Sequence, residues 1–130
     1  MTAMQVVALY AGLNLLILGL LSLPIGLNRN KKKISLGDGG DSQMNALIRA
    51  HGNAAEWIPG ALIGLTILAM TGTGTLVIHV LGLLFTLARA SHAYAFLSGQ
   101  TTGPGRIFGA AMTLLIYVAM AGLLIWKAIS

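Results

Sequence analysis

Four apolar stretches, each long enough to cross a bilayer, constrain this 130-residue chain more than any other feature. About 20 residues of helix cross the roughly 30 Å of hydrocarbon in a membrane, and windows of that length predict helices near residues 3–27, 43–70, 75–97 and 106–126. Charged residues make up only 8% of the chain and hydrophobic residues 56%, whereas a soluble domain carries about a quarter charged residues. A chain this short cannot bury that much apolar surface in its own core, so lipid is the solvent for most of it. The expected class is therefore all-α: one four-helix transmembrane domain.

The first stretch has no basic leader and no small-residue cleavage site after it, so it is expected to be retained as a helix and not removed as a signal peptide. With no cysteine, the chain supplies no disulfide, no thiolate nucleophile and no thiolate metal ligand of its own. Any thiol chemistry would have to enter with a ligand.

Positive charge gathers on one side. The connection after the first stretch opens Asn28-Arg29-Asn30-Lys31-Lys32-Lys33 and continues through Gly37-Asp38-Gly39-Gly40-Asp41. The connection over residues 71–74 is short and uncharged, and the Gly-rich one over residues 98–105 delivers Arg106. By the positive-inside rule the first and third connections face the cytoplasm and both termini face the other side. The lysine run and the net charge of +5 read as a topology signal and a contact for anionic lipid, not as a nucleic-acid surface. Residues 37–40 lack the Lys-Ser/Thr of a phosphate loop and read as a turn.

The second helix carries what a membrane helix normally avoids: Arg49, His51, Asn53 and Glu56. Ionised groups at bilayer depth are costly, about 2.5–3.5 kcal/mol each on insertion scales, and they mark functional or packing sites. At about 100° per residue, Arg49, Asn53 and Glu56 fall on one narrow face and His51 nearly opposite. Two faces serving two neighbouring sites favour an oligomer. In the third helix Arg89, His92 and Phe96 share a face, and Arg106 opens the fourth at the level of Arg29. His79, towards the other end of the third helix, reads as a packing histidine.

A packing role, with Arg49 and Glu56 paired with each other or with neighbouring helices and the histidines hydrogen-bonded in the core, fits any one of these pairs. Several arginines, one carboxylate and an asparagine set at similar depth favour a site for an anionic or zwitterionic ligand. No HxxxH or HExxH spacing supports a metal. Gly60 and Gly64 form a GxxxG spacing that permits close helix packing. Trp57, Tyr94, Tyr117 and Trp126 read as packing or interface residues.

The stretch Arg49-Ala50-His51-Gly52-Asn53-Ala54-Ala55-Glu56-Trp57-Ile58-Pro59 resembles R-x-x-x-N-x-x-E-x-x-P, the second-helix signature of the membrane-associated proteins in eicosanoid and glutathione metabolism (MAPEG). Arg29, Gly37-Asp38-Gly39-Gly40 and Arg89-Ala90-Ser91-His92-Ala93-Tyr94 extend the resemblance over nearly the whole chain, which looks like the small bacterial members.

That resemblance implies a homotrimer binding glutathione as co-substrate between subunits near the cytoplasmic side. It implies that Arg49, Asn53, Glu56, Trp57, Arg89 and His92 line the tripeptide, that Arg29 and His51 approach from the neighbouring subunit, and that Arg106 polarises the sulfur. Trp57 stands where the family often has a tyrosine, and His92 and Phe96 stand where the eicosanoid-making members have tyrosines. The activity implied is glutathione S-transferase-like conjugation of a lipophilic electrophile, or reduction of a lipid hydroperoxide, in a bacterial inner membrane. A non-catalytic trimer holding a lipid headgroup or another anionic metabolite is the alternative; a transporter is disfavoured by the lack of paired repeats.

Overall fold

A computed structural model describes residues 1–99 and 102–130, so the Gly-rich connection expected over residues 98–105 lies partly outside the described residues. The chain forms four membrane-length helices: α1 (Ala3–Lys32), α2 (Ser42–Met70), α3 (Thr75–Leu97) and α4 (Pro104–Ile129). It is an all-α four-span membrane protein.

Helix α1 starts at a capping box, in which the Thr2 hydroxyl accepts from the Gln5 N–H and the Gln5 side chain accepts from the Thr2 N–H. These bonds satisfy donors that an uncapped helix leaves bare. The helix runs through Pro24 and ends at Lys33, whose left-handed backbone (φ 55°) returns its N–H to the Arg29 carbonyl. It is thus longer than residues 3–27, because the backbone ladder continues after the apolar side chains stop. At 30 residues it measures about 45 Å, so its basic last turn projects beyond the hydrocarbon. There Arg29, Lys31 and Lys32 meet the partial negative charge of the helix end.

The next turn is built by Gly37, Gly39 and Gly40, all at positive φ, a conformation that residues with a Cβ seldom adopt. Asp38 accepts from the Gly40 N–H at 2.9 Å and from the Asn45 amide at 2.7 Å. Asp41 caps α2 through the Met44 N–H and pairs with Lys32 Nζ at 2.6 Å. The Gly40 N–H holds the Asp38 carboxyl below its ordinary range, and Lys32 does the same for Asp41.

Because folding depresses both carboxylates, their contribution to the turn is present above the ordinary pKa of about 3.9 and is lost as pH falls through the lower folded values. Amide protection factors at Gly40 and Met44, corrected for intrinsic exchange, are expected to hold at pH 5 and to be lost only once the pH has fallen below the ordinary carboxylate pKa of about 3.9. Unchanged protection across that window would show that the carboxylates do not hold the turn.

Helices α2 and α3 form the centre of the bundle. Helix α1 packs on both, α4 packs on both, and α1 and α4 make no contact among the described residues. The core joins Val6, Tyr10 and Leu21 of α1 to Ile58 and Leu65 of α2, Phe85 of α3, and Ile116 and Met120 of α4. On α1, Leu15, Leu16, Leu20 and Leu23 point outward, as do Leu114, Leu115 and Val118 on α4, a surface suited to lipid.

Small residues set the helix spacings. Gly64 faces Met120, and Gly60 lies against the Tyr117 hydroxyl, so the GxxxG spacing is used between α2 and α4. Gly109 brings α4 onto the backbone of α3: a Cβ there would come within 2.7 Å of the Ala88 carbonyl oxygen and 2.9 Å of the His92 nitrogen. Gly109→Val is therefore expected to cost about 1–3 kcal/mol and lower the melting temperature in detergent. Gly122, with nothing near its Cβ position, supplies the control: Gly122→Val should melt like the parent, and equal melting of both variants would refute the packing argument.

Candidate functional site

The end of α3 and the start of α4 lie together with the start of α2 at one side of the bundle. There the Ser91 hydroxyl donates to the Gly105 carbonyl and fastens α3 to the first turn of α4. Proline at the start of α4 gives up no helix hydrogen bond, because the first N–H groups have no intrahelical acceptor.

Below that junction, Arg89 is the largest fully buried side chain, only 1% exposed. Its Nη2 donates to Asn53 Oδ1 at 2.8 Å and its Nη1 to Thr113 Oγ1 at 3.4 Å; Thr113 in turn donates to the Gly109 carbonyl at 2.6 Å. One guanidinium thereby bridges three helices at a common depth: Asn53 lies about 16 Å along α2, Arg89 about 12 Å from the end of α3 and Thr113 about 14 Å along α4. A cation in a low-dielectric interior is tolerated where acceptors surround it. Two atoms of this region, Arg89 Nε and His92 Nδ1, are buried without a partner among the described residues.

Arg49 and Glu56 share the Asn53 face of α2 but are exposed on the outside of the subunit. Neither forms a hydrogen bond or ion pair with a described residue, and the ion pair found among the described residues is Lys32 with Asp41. Among the described residues Arg49 and Glu56 pair neither with each other nor with a neighbouring helix of the subunit. Glu56 lies about 21 Å along α2, near the bilayer middle. A carboxylate facing lipid at that depth is costly, so this face requires a polar occupant or another chain.

The remaining candidates divide by surroundings. His51 is half-buried on a different face of α2. Trp57 packs edge-on against Tyr117 at 4.8 Å, and the Tyr117 hydroxyl donates to the Trp57 carbonyl. Arg29 is half-buried at the end of α1, where its Nη1 donates to the Ile34 carbonyl at 3.3 Å. The His92 and Phe96 rings lie 5.1 Å apart in a tilted arrangement, and the Arg106 guanidinium lies over Phe96, 5.3 Å from its ring centre. Arg106 also borders an open groove of about 530 Å³ lined by Thr102, Ile107, Ala110 and Ala111.

The fold therefore brings the half-buried Asn53 onto the buried Arg89, with the buried His92 one turn further along α3, sets Arg49 and Glu56 on the adjoining outer face, and places Arg106 above Phe96. Arg89 lies inside the subunit, where it holds neighbouring helices, and not on an open ligand surface. His79 sits apart, with the Tyr10 hydroxyl 3.2 Å from its Nδ1. Tyr117 packs in the site's framework, as its sequence reading as a packing or interface residue expects, and Thr113 belongs to that framework although sequence reading gave it no role. A threonine hydroxyl in the apolar run of α4 was the available signal for Thr113, since such groups seek partners across helices.

Comparison with known proteins places these features in a family context. The MAPEG family model matches residues 7–126. Over 92 residues the chain is 37% identical to inner membrane protein YecN of Escherichia coli K12, covering 71% of this chain and 70% of the relative. The protein of the same name from Escherichia coli O6:H1 matches equally, at 37% over 92 residues.

Proposed function

The chain belongs to the MAPEG family, and from that premise we propose that it is a glutathione-dependent membrane enzyme that joins the thiol to lipophilic electrophiles or uses it to reduce lipid hydroperoxides. The observation that carries this reading is the outward placement of Arg49 and Glu56 beside Asn53, without a partner among the described residues. A zwitterionic peptide supplies what that face lacks: an ammonium for Glu56 and a carboxylate for the Arg49 fork. In a homotrimer the face would be closed by a neighbouring subunit, whose Arg29 and His51 would complete the site.

Arg106 would then stabilise the sulfur as thiolate, the nucleophilic form of a group whose ordinary pKa is about 8.5. The thiol proton passes to solvent, sulfur forms a bond to the electrophilic carbon, and the leaving group departs with its electron pair. With a hydroperoxide, two glutathiones become the disulfide while the peroxide becomes an alcohol and water. The groove beside Arg106 has Ile107, Ala110 and Ala111 along its wall and suits an apolar co-substrate arriving from the bilayer. On this reading the basic end of α1 lies at the cytoplasmic surface and both termini on the opposite side.

The test is glutathione conjugation to a lipophilic aryl halide, and reduction of an organic hydroperoxide, by the detergent-purified protein. Acceleration over the protein-free rate in either assay is expected. A folded oligomer inert in both would favour a non-catalytic role in binding anionic lipid.

A further inference from the structure

A guanidinium has donors and no acceptor, so the corner of the Asn53 amide that faces Arg89 must be its oxygen. That contact is 2.8 Å, and Arg89 is itself held from the far side by Thr113. Turning the amide over would set its NH₂ against the Arg89 N–H groups and leave a buried charge without that acceptor. Asn53 is therefore locked with its oxygen inward. Its Nδ2 donates to no described residue, and it belongs to the helix face on which Arg49 and Glu56 stand exposed.

We propose that Arg89 is a positioning residue: by occupying Asn53 Oδ1 it makes Asn53 a donor-only contact, so the ligand atom read there is an acceptor, a carboxylate or peptide carbonyl oxygen. That the acceptor belongs to glutathione rests on the function proposed above; the lock itself does not. The inference gives Arg89 a place in recognition although it is too deeply buried to touch the ligand. It also makes the selectivity of this position depend on a contact inside the subunit.

Two substitutions of nearly equal size separate the lock from the ligand. In Asn53→Asp a carboxylate still accepts from Arg89, whereas in Asn53→Leu nothing does. Asn53→Asp is expected to melt within a few degrees of the parent or above it, and Asn53→Leu well below. Asn53→Asp melting as low as Asn53→Leu would overturn the lock. In titrations with glutathione, Asn53→Asp is expected to bind roughly tenfold more weakly or worse, because it offers no donor to an acceptor. Parent-like affinity would overturn the donor-only assignment.

Arg89→Lys retains a donor for Asn53, so it should keep glutathione affinity within a few-fold of the parent, while Arg89→Met should lose it. Equal affinity of the two variants, with both folded, would reduce Arg89 to a packing residue and overturn its positioning role. If the folded parent protein binds no glutathione, the glutathione reading fails, and the melting comparison alone decides the lock.

Discussion

Arg106→Ala is expected to lower glutathione turnover by on the order of 20-fold or more at neutral pH while shifting KM for glutathione little. A thiol with an ordinary pKa near 8.5 is only a few per cent thiolate at pH 7, whereas depression by about two units makes most of it reactive. That shift corresponds to about 2.7 kcal/mol of differential stabilisation. In the fold Arg106 stands at the start of α4 over Phe96, beside the apolar groove. Loss confined to kcat is the signature of a group acting on the reacting sulfur. The pH-rate profile should move with it, the variant regaining rate as pH rises towards the ordinary thiol pKa. Parent-like turnover in Arg106→Ala would remove Arg106 from the mechanism.

Glu56→Gln is expected to act on binding. The residue is the one carboxylate along the membrane-spanning part of α2, and it has no partner among the described residues. Pairing with a ligand ammonium would provide a neutralising contact in a medium of low dielectric. Removing one member of such a pair costs about 2 kcal/mol or more, roughly thirtyfold in affinity. Direct titration with glutathione checks this, and a matching loss with Arg49→Ala would show the two ends of the ligand being held separately. Undiminished affinity in Glu56→Gln would mean that its depth in the membrane serves assembly and not recognition. The oligomer mass of the variant distinguishes the two roles.

The placement of these groups shows which parts of the fold were legible in residue order alone. Membrane length and hydropathy were sufficient for four spans, since they depend on side chains counted along a helix. The end of α1 was less accessible: polar Asn28 and Arg29 closed the apolar window, but backbone bonding continues to the left-handed cap at Lys33. Helical spacing put Arg49, Asn53 and Glu56 on one face. It could not reveal that Asn53 turns inward to Arg89 while its neighbours open outward, because that depends on which helix packs opposite. Likewise the shared face of Arg89 and His92 was visible in their spacing, whereas the burial of Arg89 depends on α4 approaching closely at Gly109. Thr113 gains its role from that approach, and Tyr117 from the close approach of α2 at Gly60. The groove beside Arg106 is a feature of surface shape, which residue spacing does not encode.

These relations separate a rigid interior, where Arg89 fixes three helices, from an outer face that presents charge at bilayer depth. The outer face can be altered at Glu56 without opening the core, whereas a change at Gly109 reaches Arg89 through Thr113 and so bears on Asn53. Thermal melting reports on the interior, and ligand titration on the outer face and on Asn53.

The measurement that reaches the central claim most directly is an ultraviolet difference titration of the detergent-purified protein with glutathione near neutral pH. The account predicts thiolate absorbance that rises to saturation with added glutathione and disappears in Arg106→Ala. A folded oligomer that produces no thiolate signal at any glutathione concentration would contradict it.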